Sequence, residues 1–385
     1  MAAIGPSDIR EANALSCLQS LRVADRPLSV TDVAQRTGLS RPTIEAVLAD
    51  FAARGLVADA PVEGVGAAGG RPARRFGFVA ESGLVAGLDA GPREARVVLA
   101  DLSGRIVAER AIAIDSAVEG DDRFELVASL LDEALRSTGM PRERLRSLGV
   151  GASGIVDEAG TITQSTVVPS WSGRAIAAQL AERFGCLTTA ENDVKLRAYA
   201  EHHFGAAQEA ASIVFLHVGT WVTLALTLDR EIFHGQHRSA GEVGSRRGMR
   251  WSSRTEGSAP VWSTGDGSER IASAVAGDAA ARDEVRTFVR DIAPTLATVA
   301  LTMDPDMVVV GGLLAEGGGV AVEWFREELD DLIALATDFP VSPSPLGARG
   351  IVLGALAMAF VQGSEALFGI PGAPIPAVTC PEDQQ

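Results

Sequence analysis

Between Leu28 and Val57 the chain reads LSVTDVAQRTGLSRPTIEAVLADFAARGLV, and its apolar positions fall at helical spacing on both sides of a Thr-Gly-Leu-Ser turn. Val30, Val33 and Ala34 share one face of a first short helix. Ile44, Val47, Leu48 and Phe51 share one face of a second. Ser29 and Asp32 are spaced to cap the first helix, and Gly38 stands where the chain must turn sharply. Ser40 caps the second, with Pro42 in its first turn, where a missing N–H costs nothing. The pattern predicts two short helices at a steep angle. Ser40, Arg41, Thr43 and Glu45 begin the polar face of the second helix, the part that reaches base edges when such a pair enters a major groove. They are the candidate DNA-reading residues.

An ordinary helical hairpin used for packing would carry the same apolar stripes. What separates the readings is the sequel. An acidic, Gly-rich stretch leads to Gly69-Gly70-Arg71-Pro72 and then to Arg74-Arg75-Phe76-Gly77-Phe78-Val79, whose alternation reads as a β-hairpin, or wing. Gly70, Arg71 and Pro72 would form its tip, with the Arg71 guanidinium placed to sense a narrow A·T-rich minor groove.

From Gly83 the periodicity changes. Leu84 to Leu88, Ala95 to Leu99, Arg105 to Ile112, Leu148 to Val150 and Ile213 to Val218 read as strands, and Phe124 to Ser137, Ala175 to Phe184 and Asp283 to Leu301 as helices. This is an α/β body. The turn at Asp89-Ala90-Gly91 joins two strands directly, so the body opens on a hairpin and not on the βαβ unit of a dinucleotide fold. The expected division is residues 1–80 as a DNA-binding head, 81–370 as a two-lobed body and 371–385, Pro-rich and ending in acids, as a disordered tail.

Charge sharpens this division. The chain of 385 residues carries a net charge of −16, which spread evenly would repel DNA. Residues 1–80 hold 9 Arg and no Lys against 8 acidic residues, a net of +1, so the remainder carries −17. A near-neutral head with clustered arginines can meet phosphates while the acidic body is held away, with a modest salt dependence. Lys195 is the only lysine. Cys17, Cys186 and Cys380 are widely separated and lack metal-ligand spacing, which fits a reducing compartment. No run is long and apolar enough to span a bilayer and no signal peptide is evident, so the expectation is a cytoplasmic protein without membrane contact.

Taken together these residues resemble the ROK family (repressor, open reading frame, kinase) over nearly the whole chain. The head is similar to the family's regulators in Arg10 and Asn13 before the first helix, Thr37-Gly38-Leu39-Ser40, Arg54-Gly55-Leu56-Val57 and Gly70-Arg71-Pro72. The body resembles its sugar-kinase-like module at Gly154-Ile155-Val156-Asp157, Pro169 with Trp171, Glu191-Asn192-Asp193, His203-Phe204-Gly205, Ala240-Gly241-Glu242-Val243-Gly244, Asp304-Pro305, Val309-Val310-Gly311-Gly312 and Leu353-Gly354-Ala355. The resemblance implies a winged helix-turn-helix followed by an actin-like, ribonuclease-H-like pair of lobes around a cleft, in a homodimer or homotetramer.

It also implies where chemistry would lie. The position of Asp193 is the general base of the family's kinases, and Asn192 and Glu242 match residues that hold sugar hydroxyls. Glu191, Asn192, Asp193 and Glu242 are therefore the candidate effector-binding residues, with Asp193 catalytic if the protein is a kinase. Several departures argue against phosphoryl transfer. The first phosphate loop, Asp-x-Gly-Gly-Thr in kinases, reads Asp89-Ala90-Gly91-Pro92-Arg93, and Pro92 removes an amide donor. The second reads Gly219-Thr220-Trp221-Val222-Thr223, with an indole where backbone should approach phosphate. Val167 stands at a sugar-binding Asn position. Ser245 replaces a metal-binding His, and residues 246–267 hold neither Cys nor His, so no zinc and no other cofactor is expected.

Glu191, Asn192 and Asp193 could equally persist as a hydrogen-bonded strand-to-helix turn. His202, His203, His217, His234 and His237 read as structural or surface histidines, and Arg246, Arg247, Arg250 and Arg254 as a solvated basic run. Gly311-Gly312 and Gly317-Gly318-Gly319 match adenosine-binding turns only weakly. The function that follows is a DNA-binding regulator, a repressor, whose kinase-like body dimerises and senses a carbohydrate. The alternatives are an ATP-dependent sugar kinase that also binds DNA, and a scaffold that binds DNA constitutively.

Overall fold

The computed structural model describes residues 5–60, 74–247, 250–252, 255–256, 259–316, 319–335 and 339–379. The head opens with α1 (Pro6–Arg22), then β1 (Leu28–Ser29), α2 (Val30–Thr37), α3 (Arg41–Ala53), β2 (Val57–Ala60) and β3 (Arg75–Phe78). β3 lies between β1 and β2, antiparallel to both. The expected wing is thus a three-stranded sheet. Gly70, Arg71 and Pro72, assigned to its tip, lie outside the described residues. The sequence pattern missed α1, whose apolar residues are poorly segregated, so Arg10 and Asn13 sit within a 17-residue helix and not ahead of the first one.

The helix pair forms as its caps dictate. The Ser29 amide donates to Asp32 Oδ2 at 2.8 Å and the Asp32 amide returns a bond to Ser29 Oγ at 3.2 Å, closing a capping box on α2. Gly38 ends that helix at φ +73°, a left-handed conformation that favours glycine. Ser40 Oγ accepts from the Thr43 amide at the start of α3. Val33, Ile44, Leu48 and Phe51 are fully buried.

The first lobe runs through β4 (Leu84–Ala90), β5 (Glu94–Asp101), β6 (Ile106–Ala113), α4 (Gly120–Ser137), β7 (Leu145–Ala152), the short pair β8 (Ile155–Val156) and β9 (Ile162–Gln164), α5 (Ile176–Phe184), β10 (Leu187–Asn192) and α6 (Asp193–Phe204). The second contains β11 (Ile213–Val218), β12 (Val222–Leu228), β13 (Glu231–Ile232), the pair β14 (Thr255–Glu256) and β15 (Ala259–Pro260), α7 (Gly267–Val275), α8 (Ala279–Met303), β16 (Met307–Gly312), α9 (Leu313–Glu316), α10 (Val320–Leu332) and β17 (Val341–Pro343). The chain then returns through α11 (Gly350–Gln362) and α12 (Ser364–Phe368).

The two large sheets repeat one topology. Their strand orders are β10-β7-β4-β5-β6 and β17-β16-β11-β12-β13. In each, the opening strand pairs antiparallel with its successor and parallel with the strand after the crossover helix. This is the duplicated ribonuclease-H-like plan that the family resemblance implies. Each lobe has its own apolar core, around Leu88, Val150 and Leu131 in the first and Leu216, Phe288 and Val310 in the second.

A third core joins head to body. Leu18, Ile44, Leu48, Phe51 and Phe76 of the head pack in one cluster with Val98, Leu102, Leu356, Phe360 and Phe368. Arg22 lies over the Phe368 ring at 4.7 Å and donates to the Pro374 carbonyl at 3.1 Å. Burial lowers its pKa to about 10. The segment from Pro371 was expected to be disordered, yet through Thr379 it is packed. Ala373 is buried, the Ile106 amide donates to the Thr379 carbonyl, and the Thr379 amide donates to that of Gly104. Apolar Ala373 and Ile375 on the core outweigh the prolines that suggested disorder.

Candidate functional site

Two surfaces answer the sequence-based expectations, one on the head and one in the cleft between the lobes. On the head, Ser40, Arg41 and Glu45 are exposed and Thr43 is half-buried at the start of α3. Ser40 and Thr43 hydroxyls lie 2.8 Å apart, and Arg41 Nη1 donates to Thr31 Oγ1 of α2 at 3.3 Å. Arg41 and Glu45, one turn apart, approach only to 3.9 Å, so both remain available to a partner. Arg74 and Arg75 are committed within the head. Arg74 forms a bidentate pair with Asp59, and Arg75 holds the Pro27 carbonyl and Asp32.

In the cleft, strand register does the positioning. Asp89, Gly151 and Glu191 are partners in one row across β4, β7 and β10, with Ala90, Ala152 and Asn192 in the next. The row lies at the carboxyl ends of parallel strands, where α/β sheets place ligands. Asp193 then begins α6. Its carboxylate accepts the Ser153 hydroxyl and the Val194 amide. Burial raises its pKa, against the opposing pull of the Ser153 bond and the Arg197 charge. Asp89 is buried with one oxygen unpartnered, and burial followed by the nearby Asp193 charge pushes its pKa up to about 7.

Glu191 and Asn192 are engaged by the protein itself. Glu191 Oε2 receives His234 Nε2 at 2.6 Å and Arg238 Nη2 at 2.5 Å, while its other oxygen accepts the Asn192 amide. Asn192 caps α6 through Oδ1, which accepts the Val194 and Lys195 amides, and donates from Nδ2 to the Gly154 carbonyl. Lys195 Nζ donates to the Arg238 carbonyl at 2.6 Å. Glu242 keeps a half-buried carboxylate facing the charges of Lys195 and Asp193, and burial raises its pKa. The structure thus gathers Glu191, Asn192, Asp193 and Glu242 at one end of the cleft, and adds Asp89, Ser153, Lys195, His234 and Arg238. His234 and Arg238 were not singled out as site residues. They come from a loop more than 40 residues downstream, and no local pattern links them to Glu191.

The two loops that match phosphate binders meet across the cleft. The Arg93 guanidinium lies 5.9 Å from the Trp221 ring. The Gly219 amide is spent on the Trp221 carbonyl at 3.1 Å, and the Gly91 carbonyl is held by Arg123. The turn that would carry zinc does not fit that metal: Ser245 is an exposed residue of a short 3-10 turn. Among the described residues no group of three His, Cys, Asp or Glu side chains is arranged to hold a metal ion. Among the same residues no helix is long and apolar enough to cross a membrane.

Comparison with known proteins bears on both surfaces. The ROK family profile matches residues 85–256 and that of the IclR helix-turn-helix domain matches residues 12–61. A putative xylose repressor of Caldicellulosiruptor sp. (strain Rt8B.4) is 24% identical over 238 residues, 61% of this chain, and the match spans only 58% of that protein's length. The xylose repressor of Caldicellulosiruptor bescii is 20% identical over 386 residues, covering 91% of this chain and 96% of the relative. A crystal structure of a ROK family transcriptional regulator, a homolog of the E. coli MLC protein, superposes with a TM-score of 0.70 at 18% identity, over 94% of this chain and 97% of that one. With the paired sheets, the hairpin openings and the capped helix pair in place, the chain carries a ROK family domain behind an N-terminal helix-turn-helix domain.

Proposed function

We propose that the protein is a DNA-binding transcriptional repressor whose kinase-like body serves as a dimerisation and carbohydrate-sensing module in the cytoplasm, without phosphoryl transfer. The observation that carries this reading is the capped α2–α3 pair, which leaves Ser40, Arg41 and Glu45 exposed at the surface while its other face is buried against the body. Relatives named as xylose repressors support the same assignment and a sugar as effector. Residues 1–80 act as the reading head and 81–370 as the sensor, and Arg71, which lies outside the described residues, is proposed as the minor-groove contact beside each half-site. Two-fold pairing of protomers would present two α3 helices to successive major grooves, about 34–36 Å apart.

The loss of kinase activity rests on the Arg93–Trp221 contact, which occupies the space between the two loops, and on Pro92, which has no amide to offer. A sugar entering the cleft must displace Arg238 or His234 from Glu191, or use Glu242, Asp89 and Asp193 directly. It then changes DNA affinity only if it favours one arrangement of the protomers over the other.

Selection of duplexes bound by the full-length protein from a library of its genomic DNA tests the reading. The expected product is a roughly two-fold symmetric site. Recovery of no common site would sink it. One observation favours the kinase alternative: Asp193 keeps a half-buried carboxylate with raised pKa, the state a general base needs. ATP-dependent phosphorylation of a hexose that Asp193→Ala abolishes would establish that alternative.

A further inference from the structure

A cavity of about 200 Å³ opens at the seam between head and body, away from the cleft. It is lined by Arg54 and Leu56 of the head, Ser82 of the connecting turn, and Leu102, Arg146 and Leu367 of the body. Against the roughly 30 Å³ that one water occupies, there is room for several heavy atoms. The polar groups around it are donors. The Ser82 side chain is 7% exposed, and its hydroxyl has no hydrogen-bond partner, an unusual state for a buried polar group. The Ser82 carbonyl is already taken by Arg144 Nη1 at 2.8 Å, so a second guanidinium stands beside that turn. Arg54 spends Nε on Asp50 at 2.8 Å. Arg144 and Arg146 have no carboxylate within ion-pair distance among the described residues, in a body whose net charge is strongly negative.

We propose that this seam is a binding site for a small tetrahedral oxyanion, either free phosphate or the phosphoryl group of a phosphorylated metabolite. Arginine forks suit phosphoryl oxygens, and the orphaned Ser82 hydroxyl supplies the short donor that such a group accepts from. The ligand would touch head, connector and body at once. Occupancy therefore stiffens the attachment of the DNA-reading helix to the sensor, and DNA binding and anion binding are linked reciprocally. The site stands independently of the repressor reading, since it requires only the head-to-body packing.

Calorimetric titration of the full-length protein tests it, with sodium phosphate, glucose 6-phosphate and glucose in separate arms and sodium chloride at matched ionic strength as the reference. The expected result is saturable binding of phosphate, glucose 6-phosphate or both, and none in chloride. A response to phosphate alone identifies the free ion, and one confined to the sugar phosphate identifies the metabolite. Arg146→Gln, at an exposed position that tolerates the change, should weaken it about tenfold, and Ser82→Ala several-fold. Lys195→Gln, in the cleft, should leave it unchanged. Binding no different from chloride, unaltered binding by both seam variants, or loss in Lys195→Gln would each overturn the assignment, the last by moving the anion to the cleft.

Discussion

At the scale of single residues, the reading head and the cleft make opposite demands. Arg41 is exposed and contributes little to folding, so Arg41→Ala should leave thermal stability within error while weakening operator binding by about 1–3 kcal/mol, read by fluorescence anisotropy on specific and unrelated duplexes. Equal loss on both duplexes would show a phosphate contact, not base reading. Asp89 illustrates the other demand. Its folded pKa of about 7 lies above the ordinary carboxylate value near 4, so the folded state binds the extra proton between these limits. Its contribution to stability is therefore fully present below pH ~4 and is lost as pH rises through about 7. The groups acting on it are Asp193, Arg197, Glu94 and Arg96. Asp89→Asn should raise the melting temperature by several degrees at pH 8 and have a shrinking effect toward pH 5. A constant difference across that range would count against a buried, proton-sharing Asp89.

What could be read from sequence at this scale follows from range. Ser29, Asp32, Gly38 and Ser40 act within one turn of the residues they satisfy, and each does what its spacing predicts. Glu191 and Asn192 were identified as site residues, but their partners His234, Arg238 and Gly154 come from distant segments, so that their hydrogen bonds are already spent was not legible. The Arg93–Trp221 contact is of the same kind. Each residue was conspicuous alone, and their meeting depends on how two lobes face each other.

Among the elements, α11 is the one that couples distant parts. It packs on β4 and β7 through Gly87 and Gly149, where an added Cβ would fall 2.1 Å from the Val352 carbonyl oxygen and 2.0 Å from that of Ala355. Its own Gly354 sits as tightly on α6, 2.0 Å from the Leu196 carbonyl oxygen by the same construction. Farther along, Leu356 and Phe360 join the core shared with the head. A helix clamped to backbone on two sides cannot absorb a methyl group, so Gly354→Ala should cost about 1–3 kcal/mol or more by overpacking, a drop of about 2–4 °C per kcal/mol in thermal unfolding. Phe368→Ala removes a buried ring that also supports Arg22, and should cost about 3–5 kcal/mol while exposing the connector at residues 79–83 to protease. Protection unchanged in that variant would mean that the head is held by other contacts. In the body, β4 to β7 and β11 and the helices α4, α5 and α8 were legible from periodicity, while α6, α7, α10 and α11 were not read. Nor was α1, because its apolar residues are scattered around the helix and gain their partners only when the fold brings α2, α3, β3 and the body against them.

At the level of the whole molecule, the arrangement separates a DNA-reading surface from an acidic body while binding them through one core. The paired sheets could be anticipated from the hairpin opening at Asp89 and the family-like motifs. The close union of head and body could not, since Phe360, Phe368 and Ala373 read as ordinary apolar positions until the fold brings them to Leu18 and Phe51. The proposed function requires this union to carry a sugar signal from cleft to DNA. It is tested most directly by anisotropy of the full-length protein on the duplex upstream of its own gene, at fixed salt, with xylose, glucose or N-acetylglucosamine added in turn. Tight, competitor-resistant binding that one sugar shifts at least about tenfold is expected, with the shift lost in Glu242→Gln and the binding weakened by about 1–3 kcal/mol in Arg41→Ala. Binding no tighter than to unrelated DNA, or a sugar response that survives Glu242→Gln, would contradict it.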